Sequence, residues 1–518
     1  MYSDIRLAPL LQEMKTRAGK IPRLAVLINV DERTLRMWFS KSEDQLRRLH
    51  QDSVEQIVNG ATSLGIRVEL FSQGPPLWDG SKSYEENLQL DPGPPPDLSH
   101  PQRDHRISFL GRKIASPFGA SASVLTSTSL RVRFLARTGA DVIVYKTVRS
   151  SRMKPHPFPN LFDCSDITPE LDPDQRRPPE IRVGEESDTF RPVYGKINRY
   201  GMPCPAPEIW GPDFAASKRE LGPNQLLILS IVGTAGKDAS DDELIRDFVK
   251  VGEYAVGAGA EVLELNLSCP NRSGPESVLF RNPRLVVRIC HELGKLRVKL
   301  LLKIGFLRGK ELREFFLETA SHVDGYSAIN TVPVVALRDG QGAPVPAWGA
   351  PGLQAGLSGK PILRCGLRCV QELAKTREQE RATKALIGVG GVTTPMDVKT
   401  YLDSGADVVQ ATTAFFIDPY FAMRVRNFLD ARLSSSRLTA EEEADAARFS
   451  WSRACGDLEK ELGGNPATLR AIRDAALQDF VEWEGRHNSA VGLGVRRPES
   501  TPSIDDFKNR IRAKLSKH

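Results

Sequence analysis

Two lysines and four asparagines stand where they could act together on one small molecule. Lys146, Lys303, Asn198, Asn266, Asn271 and Asn330 each lie within or just beyond a short segment of apolar or polar-turn character, and Thr147 and Thr331 adjoin two of them. An asparagine amide carries donors and an acceptor together, which matches a flat ring with alternating C=O and N–H groups. A lysine in the same place neutralises an anionic ligand or a developing negative charge. Any one of these side chains alone reads as a snorkelling lysine or a loop-capping asparagine. Their joint placement at successive strand ends carries the functional reading. Two glycine-rich turns, Gly356-Leu357-Ser358-Gly359 and Val389-Gly390-Gly391, would let backbone N–H groups approach a phosphate, so a phosphorylated cofactor is expected.

Elements of one kind can bring these positions to a common mouth. Eight apolar, β-branched runs recur between 106 and 430: Ile114–Ala120, Asp141–Val148, Leu226–Gly233, Val262–Ser268, Lys299–Gly305, Gly325–Thr331, Ala385–Gly391 and Asp407–Thr413. Continuous apolar runs of this length are the mark of parallel strands buried on both faces. Three of them follow the same signature, Gly139-Ala140-Asp141-Val142, Gly259-Ala260-Glu261-Val262 and Gly405-Ala406-Asp407-Val408, in which glycine closes a helix at positive φ. The pattern predicts an α/β chain built on a (β/α)8 TIM barrel, with an open doubly wound sheet as the alternative. The long, proline-rich segment 149–225 follows the second strand and reaches the catalytic face. It carries Lys196-Ile197-Asn198-Arg199-Tyr200-Gly201-Met202 there.

Around the barrel, 1–72 reads as a small helical domain, 73–105 as a proline-rich linker and 431–518 as a helical extension opened in part by a Thr439/Glu442 capping box. The stretch Leu24–Trp38 resembles a repressor-type helix-turn-helix, with Val54–Ile66 as its closing helix. That resemblance implies Arg33, Thr34 and Arg36 at a major groove and Arg23 or Arg47 at phosphates. The alternative is a helical docking module whose Leu and Trp stripe is its core.

The barrel segment resembles the FMN-dependent dihydroorotate dehydrogenase family over about 106–425. Asn266-Leu267-Ser268-Cys269-Pro270-Asn271 is similar to its active-site motif, of which dihydropyrimidine dehydrogenases carry a close variant. Pro117-Phe118-Gly119, Tyr145-Lys146-Thr147, Ile197–Gly201, Ile329-Asn330-Thr331, Gly356–Gly359, Ile387–Gly391 and Val409-Gln410 follow in the family's order. The resemblance implies FMN across the mouth, its phosphate on Ser358, Gly359, Gly390, Gly391, Thr412 and Thr413. It implies Ser123, Lys146, Thr147, Asn266 and Ile329 along the isoalloxazine, with Lys303 at its N1/O2 edge. Asn198, Asn266, Asn271, Asn330 and Thr331 would hold the pyrimidine, and Lys146 with the backbone N–H groups near Gly201 and Met202 its carboxylate. Cys269 would take the C5 proton while a hydride leaves C6 for flavin N5. A cysteine base resembles the soluble class and Ile-Asn-Arg-Tyr-Gly the quinone-using class, so the acceptor stays open among fumarate, quinone and a partner redox protein. Ala411-Thr412-Thr413 stands where the family has Gly-Thr. The run from Asp339 to Trp348 resembles the dihydropyrimidine branch, leaving uracil-type substrates as the alternative. A flavin- or pyrimidine-sensing DNA-binding regulator is the alternative of another class.

Bulk properties narrow the rest. With 518 residues the chain exceeds one core, and 71 basic against 65 acidic residues leave a formal charge of only +6, a weak footprint for nucleic acid. Seven cysteines form no C-x-x-C pair, so no metal site or cluster is expected. Cys365 and Cys369 read as helical core residues. Neither a secretory leader nor a bilayer-length apolar run is read in the sequence, and a cytoplasmic homo-oligomer is expected.

Overall fold

In the computed structural model, the described residues are 32–41, 77–93, 107–164, 178–183, 195–268 without 235, 237 and 238, 278–338, 345–434 and 504–515, with 11, 57, 171 and scattered helical positions between 454 and 479. The chain divides into two units, 75–430 and a second one formed by 1–74 with 431–518. The boundary falls within the Gly74-Pro75-Pro76 run, whose prolines disfavour continuation of a helix.

The larger unit runs through β1 (Ile107–Phe109), β2 (Arg112–Ile114), β3 (Phe118–Ala120), β4 (Val142–Val148), β5 (Leu161–Cys164), β6 (Glu180–Arg182), β7 (Gly195–Asn198), β8 (Leu226–Ile231), β9 (Val262–Asn266), β10 (Lys299–Ile304), β11 (Gly325–Ala328), β12 (Val332–Arg338), β13 (Val345–Pro346), β14 (Gln354–Gly359), β15 (Ala385–Val389) and β16 (Val408–Ala411). Eight of these close a barrel in chain order, β3-β4-β8-β9-β10-β11-β15-β16, with β16 returning to β3. All its described pairings are parallel. Parallel neighbours need crossovers, and the helices Ser129–Arg137, Asp241–Gly257, Pro283–Gly294, Gly309–Thr319, Leu363–Gln379 and Pro395–Asp403 supply them. Gly139, Gly259 and Gly405 have φ of +100°, +93° and +97° just after their helices, as the repeated signature predicts.

The bottom of the barrel is filled by a hairpin. Strands β1 and β2 pair antiparallel around Leu110 and Gly111, both at positive φ as a two-residue primed turn requires. Phe109 and Ile114 join Val142, Val144, Leu226, Ile228, Val262, Leu301, Ile387 and Val408 in one buried cluster. The first predicted strand, Ile114–Ala120, is therefore two pieces: Ile114 ends the hairpin and only Phe118–Ala120 enters the barrel. The sixth predicted strand, Gly325–Thr331, ends at Ala328, leaving Ile329, Asn330 and Thr331 beyond the strand as lining residues.

A second sheet is inserted at the strand ends. Its order is β13-β12-β14-β7-β5, with β6 on β12. The segment 149–225, read from sequence as a loop, thus contributes three strands and the helix Pro207–Arg219. The described part of the expected linker, 77–93, also has structure. Ser83 and Glu86 form a reciprocal capping box on the short helix Tyr84–Leu88. Trp78 and Tyr84 each pack a ring against Tyr200, at centroid distances of 5.8 and 6.2 Å. The fully buried Arg131 lies over Trp78 and donates to the Leu77 carbonyl at 2.9 Å.

In the smaller unit Glu32–Phe39 is helical, with Leu35 and Trp38 buried and Arg33 and Arg36 exposed. Ala454, Leu458, Ile472, Ala475, Ala476, Phe507 and Ile511 form a core cluster. The Thr439/Glu442 box, Arg23, Arg47 and most of the expected helix-turn-helix lie outside the described residues. Among the described residues no helix is long and apolar enough to cross a membrane.

Candidate active site

The C-terminal ends of the barrel strands surround a cleft, with the inserted sheet as the other wall. Its empty volume is about 1010 Å³ including the part open to solvent. Ser123, Lys146, Thr147, Asn198, Met202, Asn266, Lys303, Ile329, Asn330, Thr331, Ser358, Gly359, Gly390, Gly391, Thr412 and Thr413 all line it. Gly201 stands beside the lining residues Tyr200 and Met202. Its φ is +77°, and a Cβ there would lie 2.7 Å from His156 Nε2, so only glycine fits without displacement. Cys269 and Asn271 lie outside the described residues.

A relay of hydrogen bonds ties the strand ends together. Asn330 Nδ2 donates to Asn266 Oδ1 at 3.0 Å and to the Ser268 carbonyl. Asn266 Nδ2 donates to Thr147 Oγ1 at 3.0 Å, and Thr147 Oγ1 lies 3.0 Å from Ser230 Oγ. The Thr331 N–H closes the chain on Asn330 Oδ1 at 2.8 Å. Each amide is thereby held in one orientation before any ligand arrives, which reduces the ordering cost of binding. From the other wall, Asn198 Nδ2 donates to the Gly356 carbonyl at 3.0 Å. A Cβ on Gly356 would come within 2.3 Å of Thr331 Oγ1, so that glycine allows the two walls to meet.

The cleft's cations are unevenly placed. Lys303, 4% exposed, lies 4.0 Å from the fully buried Glu264. The pair sits inside the barrel, where neither charge can be screened by water. Lys146 Nζ donates to the Pro203 carbonyl at 3.3 Å. Lys196, on β7, pairs with Asp163 across the sheet.

The corner between β14, β15 and β16 is built for close approach. Gly359, Gly390 and Gly391 have φ of +85°, +115° and +82°. A Cβ on Gly391 would stand 2.3 Å from Leu363 Cα, and one on Gly390 3.0 Å from Ile329 Cγ1. Thr413 Oγ1 donates to Ser358 Oγ at 3.0 Å, and Ser121 and Thr412 share a hydrogen bond between hydroxyls. Backbone N–H groups and hydroxyls on a side-chain-free cradle fit a phosphate. Gln410 adds a second sign of a ligand: it is fully buried at the cleft, Nε2 donates to the Val142 carbonyl, and Oε1 lacks a hydrogen-bond partner. A buried acceptor of this kind is costly unless a ligand N–H satisfies it. The residues present therefore fit FMN. Gln410 was within the quoted Val409-Gln410 motif, but sequence reasoning assigned only the threonines after it.

Other titratable groups are set by burial. Burial and the Asp213 carboxylate hold the Tyr145 hydroxyl well above its usual range, so it stays protonated and donates to Asp213 Oδ2 at 2.7 Å. Burial pushes the Cys290 and Cys369 thiols up to about 12, and the Cys204 thiol upward, which keeps them protonated and inert as bases. Among the described residues no group of three or more His, Cys, Asp or Glu is placed to hold a metal. Trp348 stacks edge-on against Phe162, while residues 339–344 beside it lie outside the described residues.

Comparison with known proteins gives the relatives of this arrangement. The profile of a family described as dihydroorotate dehydrogenase matches residues 179–433. The chain is 31% identical over 374 residues to a dihydroorotate dehydrogenase of Dictyostelium discoideum, covering 68% of this chain and 97% of that protein. It is 26% identical over 314 residues to the catalytic subunit of a dihydroorotate dehydrogenase B (NAD(+)) of Thermoplasma volcanium, covering 60% and 87%. A ligand-free dihydroorotate dehydrogenase structure from Eimeria tenella is similar at a TM-score of 0.49 and 20% identity, over 65% of this chain and 90% of that one.

Proposed function

We propose, for a chain that belongs to the dihydroorotate dehydrogenase family of flavin oxidoreductases, that it oxidises dihydroorotate to orotate with FMN as its cofactor. The observation that carries this reading is the Asn330–Asn266–Thr147 relay beside the glycine corner, which sets ring-reading amides next to a phosphate cradle. When bound, FMN would supply a two-electron hydride acceptor. The chain's own residues do the rest. Ser358, Gly359, Gly390, Gly391, Thr412 and Thr413 hold the phosphate. Ser123, Thr147 and Ile329 would line the isoalloxazine, and Lys303 would offset the negative charge of its reduced form.

Asn198, Asn266, Asn271, Asn330 and Thr331 fix the pyrimidine by its C=O and N–H groups. Lys146 and the backbone N–H groups of Gly201 and Met202 receive its carboxylate, a group that a dihydrouracil lacks. Cys269 Sγ, as thiolate, takes the proton from C5 as the hydride leaves C6, and the C5–H electron pair left behind forms the C5–C6 double bond. A thiol suits the step because a few per cent is ionised at neutral pH, far more than of a serine hydroxyl.

The purified protein should be yellow and should bleach anaerobically when dihydroorotate is added. Bleaching by dihydrouracil alone would select the dihydropyrimidine reading, and a yellow protein that neither compound bleaches would remove the dehydrogenase reading.

A further inference from the structure

We infer that Lys196 is a phosphate-binding residue of the cofactor site, a cation carried to the glycine corner by the inserted sheet. The inference rests on the FMN reading above and adds a group that reading does not use. Among the described residues three lysines line the cleft, Lys146, Lys196 and Lys303, and no arginine does. Lys146 and Lys303 rise from β4 and β10, the second and fifth barrel strands, whereas the phosphate corner lies at β14, β15 and β16. A phosphomonoester carries a charge of about −1.5 to −2 at neutral pH. The corner's hydroxyls and backbone N–H groups are dipoles without formal charge.

Lys196 is fastened to that corner by three contacts. Its register partner on β14 is Ser358, and Ser358 Oγ donates to the Lys196 carbonyl at 3.1 Å. Ser358 in turn accepts from Thr413. The Lys196 ammonium lies 5.3 Å from the centre of the Phe416 ring, on the short helix that begins at Thr413. Its carboxylate partner is Asp163, directly opposite on β5. The Asp163 side chain is 46% exposed against 13% for Lys196, so water can take over the carboxylate when a dianion in the cleft competes for the ammonium. A lysine held at the cleft beside an aromatic ring, and paired with a wet carboxylate, is arranged to change partners when a phosphate arrives.

The test compares two flavins that differ only in the phosphate. Flavin-free full-length protein is titrated with FMN and with riboflavin, following flavin fluorescence, for the wild type, Lys196→Met, Lys196→Arg and Asp163→Asn. Lys196→Met should weaken FMN roughly ten- to a hundredfold, the range of a charge-assisted hydrogen bond, and leave riboflavin unchanged. Lys196→Arg should recover most of the FMN affinity, and Asp163→Asn should keep or tighten it. An equal loss of both flavins in Lys196→Met, or unchanged FMN binding, overturns the inference. A fall of both flavins in Asp163→Asn would make the pair a strut of the sheet instead. Wild-type protein that binds riboflavin as tightly as FMN removes the phosphate corner while sparing the flavin. Wild-type protein that binds neither removes the flavin reading, and this one with it.

Discussion

Across the cleft two walls of one unit differ in how they are made. On the barrel side, every residue of Val142–Val148, Leu226–Ile231 and Val262–Asn266 is buried. On the inserted side, Leu161–Cys164 and Gly195–Asn198 bury only some residues, and Val332–Arg338 alternates. The barrel wall holds its polar groups on strands packed from both faces, joined by the asparagine relay. The inserted wall brings its groups on strands of two to seven residues whose outer sides are partly wet. The first wall is thus the stiffer of the two, and the second, less buried along its strands, opens at lower cost.

Substitutions can break that division. The largest effect is expected at Cys269, beyond the end of β9. Cys269→Ala should keep FMN but slow substrate-driven bleaching by about 10²–10⁴-fold at neutral pH, the usual worth of a general base. Stopped-flow absorbance checks this, and unchanged reduction would remove the thiol from the reaction. Next comes the barrel-side glycine corner. Gly391→Ala puts a Cβ 2.3 Å from Leu363 Cα at a φ of +82°. Left-handed strain and overpacking together cost about 2–5 kcal/mol, so flavin content after gel filtration should collapse and the melting temperature should fall. The smallest effect is expected on the inserted wall. Asn198→Ala should raise KM for dihydroorotate about tenfold, one lost hydrogen bond's worth, with flavin content unchanged. If Asn198→Ala lost FMN while Gly391→Ala kept it, the two walls would have exchanged roles.

The barrel wall was legible in the sequence because its physics is local. Buried parallel strands must be apolar without a break, and helix-closing glycines must precede them, so Gly139, Gly259 and Gly405 announced three strands in advance. The residues lining the cleft followed, since a strand's end is also a cleft's edge. The inserted sheet was not legible. Its strands are two to seven residues long, separated by polar and proline-rich stretches, and their pairing partners lie far apart: β7 at 195–198 pairs with β14 at 354–359. Most are too short for a period of two to establish itself, and β12, which alternates in burial, hides it by carrying Pro333, Val335 and Leu337 at its less buried positions. Lys196 was therefore visible as part of a loop but not as the neighbour of Ser358. Gln410 was missed for another reason, because its significance is an unsatisfied oxygen inside a closed barrel, which no linear pattern encodes. The linker was misjudged in its described part: prolines near Trp78 and Tyr84 suggested a spacer, yet both rings lie against Tyr200.

The hairpin beneath the barrel bears on traffic. Phe109 and Ile114 cork the lower end, so the barrel is closed along its axis from below. Entry along the axis is therefore left to the upper rim, where the strand ends and the inserted sheet frame the cleft.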